Sequence, residues 1–506
     1  MSAWNAWWET RTKRFRGSGW IAVLVAVGLA VVACSGSPAS MASGTTAAGK
    51  PPAIGSCTVD GLRARCGTLT VAQDRLTGAG RTIGVRFVVI PATGADKDPD
   101  PVVYFAGGPG TSAVEEIPDE LGSIRDLNAH RDLVFVEQRG TGGPNQLACP
   151  EFPASLASRA ALRASVGSCL AGIGADLPYY TTAMYADDVN QLLGDLHYAR
   201  VNLFGNSYGS VVAQVFLLRH PGRVRTMTLQ SGFPLSARPL ERGPADAEAA
   251  LDYVFARCRA EASCQRAYPQ LAADWTALWA SAGRSPSQVP AARSPTGAAV
   301  RLDQDTLAFW MYQALFAGDE SLVPVLVHTL AAGVGSVAAL VTAIKALQGA
   351  GLPLSSGGYP TEMMTYPIYC GEPWASQSPA ALSGQQGSFA YQMYLRQAQW
   401  YGFVCPLMPK SAAAVGSQQL TVSRVPVLSF NGAGDPVAPA ASLARAQRYW
   451  PAFREIVLPG QGHDVDAASW ARCGAPLTET FIEQASAAQL DTSCLAGISA
   501  APFGGT

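Results

Sequence analysis

Charge of either sign is scarce in this chain: 14% of the 506 residues are charged, and 36 basic side chains meet 37 acidic ones for a formal net charge of -1. Nucleic-acid binders need a basic surplus to displace condensed counterions, so that class of partner is excluded. Histidine is scarcer still, with five in the chain, and no Cys-x-x-Cys or His-Glu-x-x-His spacing occurs. The usual zinc arrangements are therefore missing, and neither a metal nor an organic cofactor is expected. No repeat period is visible, which removes solenoid and propeller architectures. Uninterrupted apolar runs of the roughly 20 residues that span a bilayer are lacking as well. The stretch Leu322 to Leu347 comes nearest, but His328, Gly333, Gly335 and Lys345 break it, and it reads as packed helices.

What is present begins with an export signature. Arg11, Lys13, Arg14 and Arg16 precede an apolar run from Trp20 to Ala33, too short for a comfortable bilayer span. The run stops at Val31-Val32-Ala33-Cys34, which resembles a bacterial lipobox, so residues 1–34 are expected to be a lipoprotein signal and Cys34 the lipidated residue. Residues 35–56 are rich in Ser, Gly, Ala and Pro and read as a flexible tether. The expected address is the outer face of a bacterial cell membrane, held there by the lipid. Eleven cysteines less Cys34 leave ten, and they fall as close neighbours: Cys57/Cys66, Cys149/Cys169, Cys258/Cys264, Cys370/Cys405 and Cys473/Cys494. Nearest-neighbour pairing makes five bridges with no orphan, which suits an oxidising compartment.

Short β-branched and aromatic runs read as buried strands at Thr82 to Ile90, Pro101 to Phe105, Leu133 to Val136, Val201 to Phe204, Thr226 to Leu229, Pro426 to Phe430 and Ile456 to Leu458. Helical patterns such as Met184 to Leu196 and Val211 to Arg219 alternate with them. Such alternation predicts an α/β fold with a mostly parallel sheet and helices on both faces. It fails between about Leu235 and Leu420, where helical patterns dominate and only Gly283 to Pro295 and Ser355 to Pro360 look like loops. The expected division is a core over 57–235 and 421–506, interrupted by a helical insertion over 236–420 that forms a cap.

The chemistry centres on Gly205-Asn206-Ser207-Tyr208-Gly209. A strand pattern ends directly before it and a buried helix pattern starts directly after, the setting in which a sharp turn forces a serine to its apex. The helix then aims its N-terminal amides at the reaction centre. A serine nucleophile needs a base. His130, His197, His220 and His328 read as structural, whereas His463 in Pro459-Gly460-Gln461-Gly462-His463 follows the last strand in a glycine-flexed loop. The orienting acid is expected after the preceding strand, where Asn431-Gly432-Ala433-Gly434-Asp435-Pro436 supplies Asp435. Asp464 and Asp466 adjoin His463 but point away from its ring by chain geometry. Two amides must face the developing oxyanion; Tyr208 offers one, and Gly108 in Phe105-Ala106-Gly107-Gly108-Pro109-Gly110 offers the other, since Pro109 has no N–H.

Together Gly107 to Gly110, Gln138-Arg139-Gly140-Thr141-Gly142, Gly205 to Gly209, Gly434-Asp435 and Gly462-His463 resemble the proline iminopeptidase and tripeptidyl aminopeptidase group of α/β-hydrolases. The resemblance implies an α/β-hydrolase core with a helical cap, and release of N-terminal residues or short peptides from a peptide substrate through an acyl-enzyme. It also implies carboxylates that bind the substrate's free amine. Ala106 stands where many members carry histidine, Glu137 where aspartate is usual, and Leu229-Gln230-Ser231-Gly232 lacks an acid many relatives have. Glu372 in Tyr369-Cys370-Gly371-Glu372-Pro373 is therefore expected to meet the amine, with Glu115 and Glu116 in reserve. The alternative on the same triad is an esterase or lipase acting on small or cell-envelope esters.

Overall fold

The structure is a computed structural model that describes residues 52–149, 158–235, 238–354, 363–372, 379–411, 419–444, 446–498 and 503. The signal, Cys34, most of the tether and the Ser355 to Pro360 loop lie outside the described residues.

Nine strands form one sheet: β1 (Ala53–Val59), β2 (Leu62–Ala72), β3 (Thr82–Ile90), β4 (Val102–Phe105), β5 (Leu133–Val136), β6 (Val201–Asn206), β7 (Val224–Gln230), β10 (Val427–Gly432) and β11 (Phe453–Leu458); β8 (Ser287–Val289) and β9 (Val300–Leu302) pair separately. The order is β1-β2-β3-β5-β4-β6-β7-β10-β11. From β5 to β11 every neighbouring pair is parallel, while β1, β2, β3 and β5 pair antiparallel. Strands β4, β5 and β10 are buried along their whole length. Helices cover both faces, so β4 and β5 are apolar throughout rather than alternating, while the buried Ser429 of β10 is satisfied by donating to Asn431 Oδ1.

On one face lie α2 (Arg159–Gly172), α3 (Thr182–Asp195) and α4 (Tyr208–Arg219), packing Val189, Val212 and Phe216 against Val103, Phe105 and Leu203. On the other, α1 (Ile117–Ile124) and α15 (Ala475–Gln484) pack Ile117, Leu121 and Phe481 with Tyr104, Phe204 and Phe430. Between β7 and β10 run α5 (Pro239–Ala260), α6 (Ala262–Ala267), α7 (Leu271–Arg284), α8 (Gln304–Phe316), α9 (Leu322–Ala332), α10 (Val337–Gly349), α11 (Thr365–Gly371) and α12 (Tyr391–Val404). Leu251, Val254, Trp310, Met311, Leu326 and Ile344 give α5 to α10 a core of their own, whereas Tyr366 and Ile368 of α11 pack with the sheet. The Leu322 to Leu347 stretch is two helices, and among the described residues no helix is long and apolar enough to cross a membrane. Two short helices, α13 (Ala441–Ala444) and α14 (Ala467–Ser469), follow β10 and β11.

Four strands, β1, β2, β8 and β9, are absent from the sequence reading. β1 begins at Ala53, inside the stretch expected to be tether, and pairs with β2 through Asp60 and Gly61, both at positive φ (48° and 76°). An Asp-Gly turn with both residues left-handed matches the right-handed twist of a hairpin. β1 is an exposed edge with little apolar alternation, so the pattern that reveals buried strands was absent. In the insertion, β8 lies within the Gly283 to Pro295 stretch read as loop, and β9 lies just beyond it, where helix is expected. Among the described residues five disulfides are present: Cys57–Cys66, Cys149–Cys169, Cys258–Cys264, Cys370–Cys405 and Cys473–Cys494.

Candidate active site

β6 ends at Asn206 and α4 begins at Tyr208, so Ser207 alone makes the turn between strand and helix. Its backbone sits at φ 51°, ψ -117°, a conformation that L residues avoid and that persists only where the surroundings enforce it. The turn is this tight because the chain approaches itself: a methyl on Gly205 would overlap the Gly209 carbonyl, and one on Gly209 would overlap the carbonyl of Phe105 at the end of β4. Ser207 N donates to Gln230 O at 2.9 Å, fixing the apex to β7.

Three side chains from three separate loops meet there. His463 Nε2 lies 2.9 Å from Ser207 Oγ, and Nδ1 lies 2.9 and 3.1 Å from Asp435 Oδ2 and Oδ1. Both His463 and Asp435 are buried. Asp435 Oδ1 also accepts from the amides of Val437 (2.7 Å) and Ala438 (2.8 Å), which leaves Oδ2 to the imidazole. The two loops are joined by Gly434 N donating to Gln461 O at 2.9 Å, and Ser231 Oγ holds the His463 carbonyl at 2.6 Å. Burial pulls the His463 pKa down, but the Asp435 charge and hydrogen bond outweigh it and leave the imidazole above its ordinary value of 6.5. Asp466 caps α14 through the amides of Ala468 and Ser469, while His220 pairs with Asp187 and His328 with Asp274, away from this row.

The Gly107-Gly108 turn lies against Ser207: a β-carbon at Gly107 would stand 3.5 Å from Ser207 Cβ. Gly108 adopts φ +101°, and a side chain there would crowd Gly110 N at 2.8 Å and Thr111 Oγ1 at 2.9 Å. Helix α11 of the insertion braces this loop, Thr365 Oγ1 donating to Pro109 O (3.0 Å) and Tyr369 OH to Gly108 O (3.4 Å). Tyr208 is braced from the other side. Its hydroxyl accepts from Gln138 Nε2 (3.0 Å) and shares a hydrogen bond with Thr182 Oγ1 (2.8 Å).

The carboxylate expected to meet a substrate amine is used elsewhere. Glu372 is buried, and its two oxygens accept from Thr182 N (2.7 Å) and Thr182 Oγ1 (2.8 Å). It thus continues the Gln138–Tyr208–Thr182 chain into the first turn of α3, where the helix dipole favours a negative charge. This differs from the sequence expectation: Glu372 holds Thr182, which in turn holds the hydroxyl of Tyr208, the residue after Ser207. Of the two reserves, Glu115 is exposed and Glu116 is buried. Glu116 takes a long hydrogen bond from Tyr104 OH (3.4 Å), and burial followed by the charge of Glu120 holds its carboxyl well above the usual range. Glu120, one helical turn on, accepts from Asn206 beside Ser207 (3.4 Å), and burial pushes it up to about 7. Sequence reading missed Glu120 and Gln138 as neighbours of the site; the i, i+4 spacing of Glu116 and Glu120 on a short helix was the available signal. Glu137 is buried between Ser112 Oγ (2.5 Å) and Thr141 Oγ1 (2.7 Å) and serves the packing of its own loop.

A nucleophile turn at the end of a central parallel strand, with acid and base on later strand loops, defines an α/β-hydrolase architecture. The chain belongs to the alpha/beta hydrolase fold family, whose sequence model matches residues 100–465. Among curated proteins it is similar to tripeptidyl aminopeptidases of Streptomyces coelicolor, 28% identical over 188 residues, and of Streptomyces lividans, 26% identical over 187. Each match covers 33% of this chain and 35% of the relative, so the likeness spans about a third of the curated proteins' length. Among solved structures, proline iminopeptidase of Mycobacterium smegmatis aligns over 83% of this chain and 98% of its own, at 14% identity and a TM-score of 0.37.

Proposed function

We propose that the chain is a serine hydrolase that releases N-terminal residues or short peptides through an acyl-enzyme. The observation that carries the hydrolase reading is the unbroken hydrogen-bonded row Ser207 Oγ–His463–Asp435, built from three loops at one end of the parallel sheet. In this reading His463 Nε2 takes the Ser207 proton as Oγ attacks the scissile carbonyl. Asp435 holds the tautomer with the proton on Nδ1, and the amides of Gly108 and Tyr208 meet the oxyanion. The imidazolium then protonates the leaving amine, and water attacks the acyl-enzyme with His463 again as base.

The aminopeptidase assignment is supported by the partial likeness to tripeptidyl aminopeptidases and by the motif set ending in Gly462-His463. A panel of one peptide anilide with a free amine, its N-acetylated form and a short-chain ester tests it. The free-amine substrate is expected to show a kcat/KM at least about tenfold above the acetylated one, as loss of a charge-assisted contact predicts. Turnover of the ester alone would replace the peptidase with an esterase.

Export and lipid anchoring at Cys34 complete the proposal, supported by the N-terminal charge and apolar pattern and by five disulfides. Cys34→Ala is expected to move the enzyme from the membrane fraction to the soluble fraction of cells expressing the full chain; an unchanged distribution refutes the anchor.

A further inference from the structure

One short stretch of the insertion, from the end of α8 to the start of α9, touches both loops that carry Asp435 and His463. The Phe316 ring lies 4.7 Å from the His463 ring, centroid to centroid, and Phe316 O accepts from Asp464 N at 2.9 Å. Gly318, at φ +72°, faces Gly462 N and Asp464 O so closely that a β-carbon there would lie 3.2 and 3.0 Å from them. Two residues on, Glu320 reaches the other loop. Its Oε1 lies against Gly434, where a methyl would overlap it, and that oxygen is buried with no hydrogen-bond partner among the described residues. Its Oε2 accepts from Arg257 on α5, whose guanidinium also covers the Phe503 ring at 4.0 Å. One helical turn before Arg257, Tyr253 OH accepts from Gly460 N at 3.1 Å. The insertion therefore grips the acid and base loops from two elements at once.

A buried carboxylate with one oxygen unpaired is expensive to keep, and burial, opposed by Arg257, raises the Glu320 carboxyl to about 7. Packing alone would be served better by an apolar side chain of similar volume. Gly434 immediately precedes Asp435, so displacement of this contact passes directly to the carboxylate that orients His463. We propose that Glu320 is a positioning residue for the Asp435 loop, so that the triad is set only while the Phe316 to Glu320 turn of the insertion is seated on it.

The inference rests on the serine hydrolase reading, and the test separates the two. Glu320→Ala, Glu320→Gln, Gly434→Ala and the Glu320→Ala/Gly434→Ala double variant are prepared in the full chain. Steady-state kinetics against pH are measured on whichever substrate of the panel the wild type turns over. Each alanine variant is expected to lose about tenfold in kcat with KM little changed, since small displacements of a catalytic group carry penalties of that order. The acid limb of kcat/KM, which reports His463, should move to lower pH because a loosened Asp435 raises the imidazole less. Arg257 and Tyr253 are the charged and titratable groups facing Glu320, and both are intact in every variant. The double variant should recover part of the loss, because the methyl at 434 enters the space the carboxylate left. Glu320→Gln keeps the volume against Gly434 and an acceptor for Arg257, so it should hold kcat and the limb near wild type, the rescue by a conservative variant that separates lost contact from unfolding. Single alanine variants within about twofold of wild type with the limb in place, or a double variant equal to the product of those singles, would overturn the proposal. A wild type that a fluorophosphonate probe does not label at Ser207 strikes the hydrolase reading instead.

Discussion

Replacing Ser207 by alanine is expected to lower kcat by about 10⁶-fold and to abolish labelling by a serine-reactive probe. The size follows from removing a group that acts as one unit with its base. Without Oγ, His463 Nε2 faces no nucleophile, and only the oxyanion amides and substrate binding continue to accelerate attack by water. The substitution leaves the fold in place. The φ of 51° at this position is imposed by Gly205 and Gly209 and the bond from Ser207 N to Gln230 O, none of which involves the side chain, and alanine has the same backbone preferences there. Thermal unfolding should be within a few degrees of wild type, and substrate KM should change little. Kinetics, probe labelling and a melting curve on one preparation check all three. Retained labelling, or turnover within a hundredfold of wild type, would remove Ser207 from the chemistry.

Much of the fold could be read from the chain because its central strands are covered on both sides. Val102–Phe105 and Leu133–Val136 are apolar without alternation, Val201–Asn206 is buried up to its last residue, and helical patterns separate them, which leaves a parallel sheet as the consistent solution. The exposed β1 was unreadable for the converse reason: water on one side relaxes the demand for apolar residues, and only Asp60-Gly61 marked the hairpin. For the site, legibility tracked distance in the chain. Gly205 to Gly209 is a local device whose glycines are demanded by contacts within a few residues, and Asp435 and His463 stand next to strand ends. Glu372 shows where that stops. Its partner Thr182 is 190 residues away, and nothing near Glu372 in sequence distinguishes a carboxylate buried against a helix start from one displayed in a cleft. Glu320 is the same case, because the feature that gives it meaning is Gly434 across a domain-sized gap in the chain.

Asp435→Asn is expected to lower kcat by about 10⁴-fold while leaving the overall fold intact. The reasoning starts from the cradle. Oδ1 of Asp435 takes the amides of Val437 and Ala438 at 2.7 and 2.8 Å, and an asparagine in this place must turn its carbonyl oxygen to those two donors. Its NH₂ group then occupies the Oδ2 position, 2.9 Å from His463 Nδ1. A donor facing Nδ1 forces that nitrogen to accept, so the imidazole proton moves to Nε2, which lies 2.9 Å from Ser207 Oγ. The ring now presents an N–H to the serine and cannot take its proton. The same change alters the titration. In the wild type the Asp435 charge and hydrogen bond overcome burial and hold His463 above 6.5, so kcat/KM falls as pH drops through that raised value. With the Asp435 charge removed, burial is opposed only by the charge of Asp464, and the imidazole should titrate lower than in the wild type, moving the acid limb to lower pH. Residual activity measured across pH, together with the His463 ring resonances, separates the two effects. A variant that keeps its acid limb in place, or loses less than about tenfold in kcat, would show that Asp435 does not orient this histidine.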